Sequence, residues 1–177
     1  MIFMIRSAAT SDALRLNKIL LLSEKAASGA CLKDLYRRQR NELTTFLRTD
    51  HASRTFIYVC EDEGIVKGMV AWTTFSATCK HSLTDQNCWL NNSLTECVEI
   101  RGLYVDPEWR CQGIGRRMIT SFLRNMEHQN ISTACIWILA DDVATARFCE
   151  EFDFVKTASS RISANGNRVV RWTHSFF

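Results

Sequence analysis

The sequence predicts a globular α+β fold, and three observations lead there. Apolar residues fill 46% of the 177 positions, and a chain of this length can bury roughly 70% of its unfolded surface without metals or disulfides. Short β-rich runs alternate with segments whose apolar residues recur every three or four positions. One proline and 7 glycines are all that interrupt them, which excludes collagen-like, disordered and disulfide-stapled classes. A single domain over residues 1–177 is expected, because no linker, repeat or second composition is visible.

The elements follow in order. The opening IFMIR reads as a strand, and Thr10, Ser11 and Asp12 are helix-capping residues ahead of a leucine-rich helix ending near Gly29. Leu32, Leu35, Tyr36, Leu43, Phe46 and Leu47 mark one face of a second helix, with Arg37, Arg38 and Arg40 on the other. The runs 55–60 and 65–75 are strands joined by Glu61–Gly64, a link short enough for an antiparallel hairpin. Residues 76–93 lack any sustained period and read as a long loop. Cys97–Val105 is a strand broken at Pro107; Ile114, Met118, Phe122 and Met126 then recur every four residues as a helix face. Residues 134–139 form a strand apolar enough to be buried on both faces. A short helix at about 143–151, a strand at about 153–158 and a hairpin at Asn165-Gly166 complete the chain.

Lys and Arg total 22 against 19 Asp and Glu, a net charge of +3, too mild for a dedicated nucleic-acid binder. The apolar opening is interrupted by Arg6 and is too short for a signal sequence or a membrane span, so a soluble, cytoplasmic protein is expected. The 8 cysteines contain no Cys-x-x-Cys pair and read as reduced, mostly buried thiols. Cys79, His81, Cys88 and Cys97 match no common zinc spacing, so no metal is expected. Asn130-Ile131-Ser132 is a chance glycosylation sequon on this reading.

Residues 98–123 carry the chemistry. A strand enters a loop with Gly113 and Gly115, and the loop opens into a helix. Unpaired N–H groups at a helix N-terminus, with the helix dipole behind them, favour phosphate oxygens, and glycine admits close backbone approach. A Walker A loop would need Gly-Lys-Ser/Thr, but Arg116 and Arg117 follow Gly115; a dinucleotide fingerprint would need a third glycine at Met118. What remains is Arg-x-x-Gly-x-Gly, filled by Arg110, Cys111, Gln112, Gly113, Ile114 and Gly115.

This motif resembles the hallmark of the GNAT family of acetyl-CoA-dependent N-acetyltransferases, Gln/Arg-x-x-Gly-x-Gly/Ala after the fourth strand. IRSAATSD is similar to that family's first strand and helix cap, EIRGLYVDPEWR to its fourth strand, and ARFCEEFDF to its late helix-to-strand segment. The resemblance implies a mixed, mostly antiparallel central sheet of about seven strands flanked by about four helices. It also implies acetyl-CoA as acyl donor, a primary amine as acceptor and direct transfer in a ternary complex. The coenzyme's pyrophosphate would rest on the amides of Gln112, Gly113, Ile114, Gly115 and Arg116, with Arg110 and Cys111 in the same loop. Its pantetheine arm would pair like a strand with Leu103, Tyr104 and Val105.

By the same resemblance, the base is a carboxylate on the fourth strand: Glu99, eleven positions before Arg110, with Glu96 in reserve. The competing reading pairs Glu99 with Arg101. The family's late helix often carries a tyrosine that protonates the leaving thiolate, but Cys149 stands there, and Asp153 replaces a glycine. Asp142 and Val143 occupy the place of the usual asparagine, which makes Asp142 a coenzyme contact. Cys149, Tyr104 or water could supply the proton; an inert helix cysteine is the alternative. These departures keep a non-catalytic acyl-CoA-binding module open as the rival function. Arg37, Arg38 and Arg40, and Trp72 and Trp89, could border an acceptor groove, or be a solvated face and core aromatics. A homodimer is a possibility the family raises.

Overall fold

The computed structural model describes residues 3–28, 55–75, 97–163 and 166–176. The helix expected at 32–47, the loop at 76–93, Trp89, Glu96 and Asn165 lie outside the described residues, as do Cys79, His81 and Cys88 of the zinc reading.

Among the described residues, seven strands form one mixed sheet. They are β1 (Met4–Ser7), β2 (Thr55–Asp62), β3 (Ile65–Phe75), β4 (Cys97–Val105), β5 (Thr133–Leu139), β6 (Val155–Ile162) and β7 (Arg168–Ser175), in the order β1-β2-β3-β4-β5-β7-β6. Three helices are described: α1 (Ala13–Ser28), α2 (Ile114–His128) and α3 (Val143–Glu150). The chain divides into two compact units, Met1–Trp72 with Gly102–Phe122, and Thr73–Arg101 with Leu123–Phe177.

In the first unit, β1 and β2 pair antiparallel with Met4 opposite Glu61 and Ser7 opposite Tyr58. The β2–β3 turn is two residues long, and both Glu63 (φ 52°) and Gly64 (φ 76°) take the left-handed conformation that a tight hairpin requires. Leu16, Ile19, Ile57, Val59, Val66 and Met69 close the core. Trp72 is buried against Phe122 (centroids 5.2 Å apart) and Tyr58 (4.5 Å), so this tryptophan is core. The start of α1 differs from the capping expected of Thr10–Asp12. Those residues form a 3₁₀ turn, and Asp12 accepts from the Ala9 amide at 2.7 Å while Arg6 holds both its oxygens.

In the second unit, β4 runs parallel to β5 with Glu99 opposite Cys135. β7 lies antiparallel to both β5 and β6. β5 is less enclosed than its composition suggests: Ala134 and Ile138 are buried, but Cys135, Ile136 and Trp137 are half-buried and Leu139 is exposed. Asn130 (φ 55°) ends α2, where the Ile131 amide returns to Met126 O at 3.1 Å. The sequon asparagine is thus a helix-terminating residue.

Candidate active site

The residues expected to carry the chemistry fall into two groups, one in each unit. In the first, β4 leads through a 3₁₀ turn (Pro107–Trp109) into the glycine loop and α2. Asp106 anchors the turn from a fully buried position: Oδ1 accepts from the Glu108 amide at 3.1 Å, Oδ2 meets Arg15 at 2.6 Å, and its own amide donates to Lys67 O at 2.9 Å. Arg110 donates to Val105 O at 3.2 Å and reaches Ser23 Oγ at 3.4 Å, bracing the loop's first residue.

The loop then reverses through two left-handed residues, Cys111 (φ 59°) and Gly113 (φ 77°), both exposed. Glycine adopts that conformation freely, and no heavy atom lies within 4 Å of where a Gly113 Cβ would stand. The helix ladder opens with Arg117 N–H donating to Gly113 O at 3.0 Å. The amides of Ile114, Gly115 and Arg116 therefore precede any i→i−4 acceptor, at the positive end of the α2 dipole. Ile114 and Met118 are buried and Gly68 of β3 is the reason they fit: a Cβ there would stand 3.0 Å from Met118 Sδ and from Tyr104 O.

Tyr104 folds back along its own strand. A Cβ on Gly102 would lie 2.2 Å from the Tyr104 ring, so Gly102 is the residue that lets the ring lie flat on β4. Leu103, Tyr104 and Val105 are all half-buried. Gly68 and Gly102 are site-shaping residues that sequence reasoning missed; two isolated glycines inside strand patterns are the available signal of close backbone approach.

The second group lies at the start of β4 and on α3. Val98 and Ile100 point into the core, which turns Glu99 to the opposite face with its side chain 14% exposed. Arg101 donates to Glu99 Oε1 at 2.6 Å and Arg161 Nη2 stands 3.9 Å from the same oxygen. The pairing with Arg101 is present, and the carboxylate remains partly open.

Asp142 caps α3, accepting from the Thr145 amide at 2.9 Å and its hydroxyl at 2.5 Å. That is a structural use of both carboxylate oxygens. Cys149 is buried at 4% exposure; burial first, then the charges of Asp142 and Glu150, push its thiol up to about 11. Asp153 (φ 58°) takes the left-handed position where the family pattern has glycine, and the Phe154 amide closes on Cys149 O at 3.1 Å. An aspartate tolerates that conformation better than most residues do.

Among the described residues, no cluster of His, Cys, Asp and Glu is placed to hold a metal, and no helix is long and apolar enough to cross a membrane.

Comparison with known proteins agrees with this fold. A PaiA N-acetyltransferase from Thermoplasma acidophilum, solved with coenzyme A, has 13% identity and a TM-score of 0.68 over 98% of this chain and 100% of that one. YncA from Salmonella typhimurium, solved with acetyl-CoA, has 15% identity and a TM-score of 0.71 over 100% and 95%. The ribosomal-protein-S18-alanine N-acetyltransferase of Escherichia coli has 14% identity and a TM-score of 0.65 over 99% and 94%. No curated protein matches in sequence. The sequence profile of the acetyltransferase (GNAT) family matches residues 18–154. With most of its length inside that match and a seven-stranded mixed sheet to go with it, the chain belongs to the acetyltransferase (GNAT) family.

Proposed function

We propose that this enzyme acts as one N-acetyltransferase domain that moves the acetyl group of acetyl-CoA to a primary amine by direct attack. The observation that carries the reading is the loop from Cys111 to Gly115. Its left-handed turns lead into the N-terminus of α2, and its residues fit a coenzyme pyrophosphate. Gln112 and Gly113 are exposed, and a Gly113 side-chain position is open space. Arg110, Cys111 and Arg116 complete the cradle, and Leu103, Tyr104 and Val105 offer the backbone of β4 to the pantetheine arm.

Acetyl-CoA supplies a thioester whose carbonyl carbon accepts the amine. The lone pair of the unprotonated amine forms the N–C bond, and Glu99, directly or through water, takes the proton that the nitrogen sheds as the C–S bond breaks. The departing thiolate receives one proton, leaving the N-acetyl product and free coenzyme A. Tyr104 and Cys149 are the candidate donors. Burial raises the Cys149 thiol to about 11, which keeps it protonated at neutral pH but makes it a weaker proton donor than an ordinary thiol. Asp142 holds the start of α3, and with it the backbone that would meet the coenzyme.

The test is a mass-spectrometric transfer screen with acetyl-CoA against small amines, aminoglycosides, polyamines and peptide amines. A gain of one acetyl group on one acceptor class supports the reading. Binding of acetyl-CoA with no transfer to any amine would sink it in favour of a coenzyme-binding module.

A further inference from the structure

We propose that the acceptor of this enzyme is a primary amine that also carries a carboxylate, and that Arg101 and Arg161 hold that carboxylate beside Glu99. The inference rests on Glu99 being the base of the transfer. It starts from the sheet register. Glu99 pairs with Cys135 across the parallel β4–β5 ladder, so Glu99, Arg101, Cys135 and Trp137 project from one face. From β6, Arg161 reaches over the same face: its guanidinium carbon lies 4.1 Å from the Trp137 ring centroid, and its Nη2 lies 3.9 Å from Glu99 Oε1.

One carboxylate oxygen therefore faces two guanidiniums. Arg101 makes the short contact with Glu99, at 2.6 Å. The longer contact of Arg161 leaves donors of its planar fork available, and the Trp137 ring holds the guanidinium over this face. Exposure follows the same division: the side chains of Arg101 and Arg161 are 55% and 41% exposed, that of Glu99 only 14%. An approaching molecule meets the cations first and the carboxylate behind them. An amino-carboxylate matches that arrangement, its anionic end on the arginines through charge-assisted bonds and its nitrogen on Glu99. A polyamine meets like charge at the entrance.

The experiment compares acceptors of equal length with three ends, γ-aminobutyrate, butylamine and putrescine, and peptides whose second residue is Glu, Gln or Lys. The peptides separate a free amino acid from a peptide source. The carboxylate-bearing member of at least one series should show kcat/KM about tenfold or more above its neutral analogue. Arg101→Met and Arg161→Met should each remove most of that preference by raising the acceptor's KM, with the KM for acetyl-CoA unchanged. Arg161→Glu should shift the preference toward putrescine or the Lys peptide. Transfer that favours neutral or cationic acceptors in the wild type, or a preference that survives both Met variants, overturns the proposal. Acetyl-CoA binding without transfer to any amine is the different failure, and it removes the transfer reading together with this one.

Discussion

The Nζ atom of Lys67 stands 3.6 Å from the centroid of the Trp109 ring. Its ammonium is 3% exposed and 2.6 Å from Asp62 Oδ2, so one buried cation joins the β2–β3 hairpin to the turn that precedes the glycine loop. Removing one partner of a buried pair leaves the other charged and unpaired. Lys67→Met should lower unfolding free energy by about 3–5 kcal/mol, while Lys67→Met with Asp62→Leu should recover most of it. Urea titrations of both variants check this. Equal losses in the two would mean that the pair's charge is not what matters.

Gly113 carries the loop's reversal at φ 77° with nothing near its missing Cβ. The cost of Gly113→Val is therefore backbone strain of about 1–2 kcal/mol and a side chain standing where phosphate oxygens would approach. Calorimetric titration should show acetyl-CoA affinity falling at least about tenfold, with only a small drop in thermal midpoint. Unchanged affinity would count against the loop as the pyrophosphate site.

Glu99→Gln keeps the shape of a side chain packed between two arginines but cannot accept a proton. We expect kcat to fall about 10²-fold or more, with acetyl-CoA binding intact. Steady-state kinetics at saturating coenzyme checks it; full turnover would reassign the base.

The thiols should separate by environment. Cys111 is exposed, whereas burial pushes the Cys149 thiol up to about 11 and raises that of Cys60. Iodoacetamide near neutral pH should label Cys111 well before Cys60 or Cys149, and labelling of Cys149 should climb only as pH approaches 11. Acetyl-CoA should protect Cys111. Peptide mapping by mass spectrometry reads all three, and early labelling of Cys149 would mean that α3 opens readily.

Arg6 donates to Asp12 at 2.7 and 3.0 Å and also pairs with Glu61, and those hydrogen bonds hold the Asp12 carboxyl below its ordinary value. A carboxyl lowered in the folded state contributes stability that is full above the usual pKa of 3.8 and is lost as pH falls through the folded value. Unfolding free energy should therefore decline below about pH 4, and Asp12→Asn should be destabilised at neutral pH but show a shallower decline. Parallel slopes in urea melts at several pH values would refute the assignment.

Local pattern was enough for most of the secondary structure, because burial of one face imposes a period on the sequence. Ile114, Met118, Phe122 and Met126 are all at most 1% exposed, as their four-residue spacing requires. The Glu63-Gly64 turn and the glycine loop are legible for the same reason: left-handed conformations select glycine and the residues that tolerate it. The glycine loop lies in a motif that is contiguous in the chain, and Glu99 is singled out by the family resemblance, eleven positions before Arg110.

Tertiary structure alone decided the rest. Arg6 with Glu61, Arg15 with Asp106 and Lys67 with Trp109 join residues 42 to 91 positions apart, and no local pattern announces which cation meets which partner. Lys67 is a cation inside the strand run 65–75, yet it is buried because a carboxylate and an aromatic face meet it there. The thiol of Cys149 and the pair of arginines facing Glu99 are decided in the same way, by burial and by strand register. The sequence by itself determined the periodicities, the turns and the glycine loop, since each depends on neighbours along the chain; charge pairing and proton affinity depend on neighbours through space, and only the fold supplies those.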